Sequence, residues 1–105
     1  MTKQAYNKLV RDRIPEIIAA EGKTPKTRIL NKQEYYQALL KKLEEELLEF
    51  KADPSVEELA DLQEVLLALA DALNIGYNEL AKMVSRKALA RGSFKKRIFL
   101  ESVED

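Results

Sequence analysis

Two amphipathic segments separated by only three residues constrain this chain more than any other feature. The first carries Leu39, Leu43, Leu47 and Phe50, the second carries Leu59, Leu62, Val65, Leu66, Leu69 and Leu73, and Asp53-Pro54-Ser55 lies between them. At about 100° per residue, each set forms one apolar stripe along a helix. A link this short turns the second helix back antiparallel to the first, so that the stripes face each other. The pattern predicts helices over residues 32–51 and 54–73. Asn31 with Glu34 three residues on has the form of a capping box for the first, and Asp53 at N-cap with Pro54 at N1 is the stronger start for the second.

The same stretch segregates charge. Residues 43–64 hold nine acidic side chains and one base, Lys51, in a chain whose 18 Lys and Arg are balanced by 18 Asp and Glu. Glu46 and Glu49 flank the first stripe and Glu58 and Asp61 flank the second on the same side, each pair three residues apart. When the stripes pack, the four carboxylates converge. Carboxylates crowded beside a dry seam repel one another, and burying one unpaired is costly. A divalent cation removes that conflict, and an oxygen-only, highly charged ligand set suits Mg²⁺, with Mn²⁺ as the alternative, rather than zinc. The bland reading is a solvated acidic face, with Glu58 serving only to cap a helix that starts at Ser55; both remain open on spacing alone.

Composition narrows the chemistry. There is no cysteine and no histidine, which removes disulfides, thiolate sites and the usual ligands of zinc, haem and iron–sulfur clusters. Acid–base work would fall to carboxylates, Lys, Tyr or a metal-activated water. The length fits one small domain, residues 1–105, and the abundance of Ala and Leu with only 3 Gly and 3 Pro marks it as all-α. The longest apolar run, residues 65–70, is too short to cross a membrane, and Met1-Thr2-Lys3-Gln4 leads into no signal-like segment. A cytoplasmic protein without a membrane partner is expected.

Around this centre the chain carries basic flanks. Lys8, Arg11 and Arg13 precede a short helix expected over residues 16–21 and stopped by Gly22. Residues 26–30 are compatible with a strand or a connector, and Arg97-Ile98-Phe99-Leu100 with a strand pairing to Arg28-Ile29-Leu30. Lys41 and Lys42 are placed for exposed pairs with Glu45 and Glu46. A third helix, residues 79–90, is expected to start at an Asn78 cap, turn Leu80, Met83, Val84 and Leu89 inward, and end at Gly92. From Leu80 to Leu100 there are seven cations and no acid; Lys87 and Arg91 share a helical face. Zero net charge and the lack of interleaved aromatics argue against a nucleic-acid partner. An acidic cradle facing Lys and Arg is instead what a polyphosphate ester requires.

The motif Glu45-Glu46-x-x-Glu49, a gap, and Glu58-x-x-Asp61 resembles the signature of the MazG-like all-α nucleoside triphosphate pyrophosphohydrolases. The flanks Asn7-Lys8-Leu9-Val10-Arg11-Asp12 and Lys87…Arg91-Gly92-Ser93-Phe94…Arg97-Ile98 are similar to those of the phosphoribosyl-ATP pyrophosphohydrolase-like branch, although Ser93 stands where a second glycine is common. The resemblance extends from about Tyr6 to Leu100. It implies hydrolysis between the α and β phosphates of a nucleotide, with Glu46, Glu49, Glu58 and Asp61 as Mg²⁺ ligands and Glu45, with Glu46, in a catalytic role as a water-orienting carboxylate. Lys8, Arg11, Lys87 and Arg91 become the candidates for substrate phosphate contacts. A homodimer or homotetramer is also implied, with helices of two chains completing a four-helix core. The resemblance leaves three readings: a house-cleaning enzyme for non-standard or excess nucleotides, the same chemistry on phosphoribosyl-ATP in histidine biosynthesis, or a non-catalytic helical interaction module.

Overall fold

A computed structural model describes residues 3–105. The described chain is all-helical, with α1 at Ile14–Ala20, α2 at Lys32–Ala52, α3 at Val56–Ala72 and α4 at Tyr77–Arg91, and no strand among the described residues. The central pair, α2 and α3, packs together, and α4 touches α3.

Local chemistry sets each boundary. Asn31 caps α2 with a full capping box: its side chain accepts from the Glu34 N–H at 2.8 Å, and the Glu34 carboxylate accepts from the Asn31 N–H at 3.2 Å. At the turn, Ser55 rather than Asp53 caps α3, its hydroxyl accepting from the Glu58 N–H at 3.3 Å. Asp53 is already committed to closing α2, donating its N–H to the Glu49 carbonyl at 3.0 Å. Pro54 disfavours helical backbone at the residue before it and so separates the two roles.

α3 ends in a Schellman closure: Asn74 N–H donates to the Asp71 carbonyl at 2.9 Å and Ile75 N–H to that of Ala70 at 2.8 Å. Asn74 supplies the left-handed position, at φ +61°. The chain leaves this closure extended at Gly76, so Gly76 and not Asn78 becomes the N-cap of α4. α1 begins at Ile14, two residues earlier than expected, because Pro15 is tolerated in a first helical turn.

The expected strand pair does not form. Arg28 turns its guanidinium to Glu34 at 3.3 Å, and Arg97 adopts φ +58°, which an extended strand does not allow. The core is small. Leu39, Val65 and Ala70 are buried, and Leu43, Phe50, Leu62 and Leu69 are half-buried beside them. Leu47, Leu59, Leu66 and Leu73, expected in the same stripes, are exposed, as are Met83, Val84 and Leu89 on α4. The stripes are wider than one neighbour can cover. The radius of gyration is 18.6 Å, against about 13 Å for a compact 100-residue domain.

Candidate metal centre

Packing α2 on α3 brings three carboxylates together at the end of the pair near the Asp53-Pro54-Ser55 turn. Glu46 from α2 and Glu58 and Asp61 from α3 each offer an oxygen, and these atoms all lie within 4.8 Å of one another. Glu58 reaches this point because the Ser55 cap fixes the first turn of α3, and Asp61 follows one helical turn later on the same face.

Glu46 is only 6% exposed, the sole buried charged residue among those described. One of its oxygens, Oε2, is buried without a hydrogen-bond partner, and so is Oε2 of Glu58. The capping reading of Glu58 is therefore incomplete: its backbone N–H serves the cap, while a carboxylate oxygen remains unsatisfied inside the cluster. Burial, then the neighbouring Glu49, raises the Glu46 carboxyl above its ordinary range. Burial, followed by Asp61 and Glu46, does the same to Glu58. Two orphaned buried oxygens, a third carboxylate in reach and raised proton affinity are what a hard divalent cation would relieve. Glu46, Glu58 and Asp61 could hold a hard divalent cation such as Mg²⁺ or Mn²⁺, which their all-oxygen donor set fits.

Glu49 is exposed and lies outside the three that converge, although its carboxylate bears on that of Glu46. Glu45 stands between two lysines, 3.8 Å from Lys8 and 3.8 Å from Lys42. The N-terminal arm closes over the same end: Arg11 Nη2 lies 2.6 Å from Asp61 Oδ1. Among the described residues, Lys87 and Arg91 form no ion pair with these acids. Every residue from Ala81 onward is exposed.

Lys42, like Glu49, departs from the sequence reading. Lys42, expected in an exposed pair, is largely enclosed and sits 3.4 Å from Glu46 Oε1. Its position four residues before Glu46 carried the signal, but the burial of both partners depends on how closely α3 covers them.

No family model matches the chain, and no solved structure matches it. Over 44 residues it is 57% identical to an uncharacterized protein of Mycolicibacterium smegmatis, a stretch that covers 42% of this chain and 45% of that protein. The match thus spans less than half the length of the curated relative.

Proposed function

We propose that the protein is a Mg²⁺-dependent nucleoside triphosphate pyrophosphohydrolase of the MazG-like all-α kind, with α2 and α3 antiparallel and a second copy completing a four-helix core. The observation that carries this reading is the convergence of Glu46, Glu58 and Asp61 with two buried, unpartnered oxygens. Cations stand around that point, as a bound polyphosphate would need.

When bound, the divalent cation supplies Lewis-acid polarisation of phosphate oxygens and lowers the pKa of water. The chain's own groups do the rest. Glu46, Glu58 and Asp61 hold the ion, with Glu49 beside Glu46 completing the negative field. Glu45 orients the attacking water and accepts its proton as the new bond to the α phosphorus forms and the bond to the bridging oxygen breaks. Lys8 and Arg11 withdraw charge from the departing pyrophosphate. Substrate phosphates would draw Arg11 away from Asp61 and leave that carboxylate to the ion.

The test is pyrophosphate release from a panel of nucleoside triphosphates with Mg²⁺ or Mn²⁺. Release that stops on adding EDTA is expected. Absence of release from every nucleotide, together with no calorimetric uptake of either ion in the presence of nucleotide, would falsify the reading.

A further inference from the structure

Lys42 is the only Lys or Arg among the described residues that is not exposed. It lies on α2 one turn before Glu46, and its ammonium stands 3.4 Å from Glu46 Oε1 and 3.8 Å from Glu45 Oε2. The Lys42 side chain is 20% exposed and that of Glu46 9%. Taking an ammonium out of water is costly, and attraction to a carboxylate does not reliably repay that cost. A Lys four residues before a Glu is also the weaker order for a helical pair. The stability of α2 alone therefore does not account for enclosing this charge.

The pairing is also one-sided. A lysine carries three N–H donors, yet the contacts of Lys42 run to one oxygen of Glu46 and one of Glu45, and Glu46 Oε2 stays buried without a partner. A counter-charge that served only to neutralise Glu46 would gain by reaching both of its oxygens. With Oε1 engaged, the Glu46 carboxylate is restrained beside Glu58 and Asp61 and has one free oxygen to offer. Lys8 and Arg11 do nothing similar: both are exposed, and they pair with Glu45 and Asp61.

We propose that Lys42 is a positioning residue for the metal centre: by engaging Glu46 Oε1 and Glu45 Oε2 it holds Glu46 with Oε2 free for the divalent ion and keeps Glu45 beside it. The inference rests on the reading of Glu46, Glu58 and Asp61 as an ion site and goes beyond it by assigning the residue that readies that site. Ligating carboxylates are themselves oriented by hydrogen-bonding partners, whose loss costs about ten- to a hundredfold in metal affinity. The sign of the effect separates position from charge. Deleting a cation beside an ion site relieves repulsion and on charge alone tightens ion binding. Deleting a cation that positions a ligand weakens it.

Calorimetric titration of the full chain with Mn²⁺ reads that sign, first without nucleotide and, if there is no uptake, with it. Lys42→Met should weaken Mn²⁺ binding by about tenfold or more, and Lys42→Arg, which keeps a charged donor at the same position, should recover most of the loss. Lys41→Met removes the same charge from the exposed neighbouring position and should leave Mn²⁺ binding unchanged or tighter. Circular dichroism establishes that each variant is folded during the titration. If Lys42→Met is not, Lys42→Gln, uncharged and one bond shorter than lysine, is titrated under the same criterion. Binding by the Lys42 variant as tight as in the unsubstituted chain, or tighter, overturns the proposal and leaves the ion site standing. Equal weakening by Lys41→Met also overturns it, because place in the fold would then not matter. An unsubstituted chain that takes up no Mn²⁺ with or without nucleotide removes the ion site itself, and the proposal with it.

Discussion

Arg11 Nη2 meets Asp61 Oδ1 at 2.6 Å, joining an N-terminal arm to the second turn of α3 across fifty positions of sequence. Both side chains are substantially exposed, and such pairs contribute at most about 1 kcal/mol to stability. A divalent ion held by the acidic cluster would compete with the guanidinium for the same oxygen. Arg11→Ala should therefore leave the melting temperature nearly unchanged and strengthen Mn²⁺ binding in the absence of nucleotide. In the presence of Mg²⁺ it should weaken nucleotide binding by about tenfold or more, the scale of one charge-assisted hydrogen bond. Calorimetric titrations with ion alone and with ion plus nucleotide measure the two signs separately. Movement of both affinities in the same direction would contradict the competition.

Glu58 predicts a pH dependence of stability. Burial, and then Asp61 and Glu46, hold its carboxyl above the ordinary value of about 4.5. A group that binds its proton more tightly when folded favours the fold at low pH and costs stability as pH rises from the unfolded value through the folded one. Glu46 acts in the same sense. Glu34, held low by its hydrogen bond from Arg28 and then by the Asn31 N–H, acts in the opposite sense, but it is common to both proteins compared. In EDTA, Glu58→Gln should gain stability relative to the unsubstituted chain as pH rises above the ordinary carboxylate range. Urea denaturation at several pH values tests this; a constant difference at all of them is the contrary outcome.

Divalent ions should reverse that ranking. Ion binding to the folded state alone contributes about 2.7 kcal/mol at a hundred times its dissociation constant. Mg²⁺ or Mn²⁺ should then raise the thermal midpoint of the unsubstituted chain and leave that of Glu58→Gln or Asp61→Asn nearly unmoved. The same two substitutions should lower pyrophosphate release at least about a hundredfold, as losing an ion-holding carboxylate does. Circular dichroism checks that the helices persist in both variants, as expected.

Caps hold the site in register. Asn31→Ala and Ser55→Ala should each cost about 1 kcal/mol. Only Ser55→Ala should also weaken ion binding, because the Ser55 hydroxyl fixes the turn that carries Glu58. Equal loss of ion affinity in both variants would show that the Ser55 contact does not position the carboxylate.

The α2 boundaries and the Asn31 cap were legible because local hydrogen bonding decides them. Of the four carboxylates expected to converge, Glu46, Glu58 and Asp61 do so because two stripes joined by a short link face each other, while Glu49 sits on the exposed side of α2. Ser55 was missed as the cap because sequence spacing does not reveal that Asp53 is already engaged with the Glu49 carbonyl. The inward positions assigned to Met83, Val84 and Leu89 failed within the chain for another reason. Helical periodicity identifies an apolar face, and it carries no information on whether the chain's other elements reach that face.

The Schellman closure at Asn74 gives the elbow between α3 and α4 very little slack. Ile75 and Gly76 alone separate the left-handed Asn74 from the first turn of α4. A joint that tight fixes the direction in which α4 leaves α3. Lengthening it with several glycines would uncouple the direction of α4 from that of α3 and leave the basic helix free to swing relative to the acidic pair.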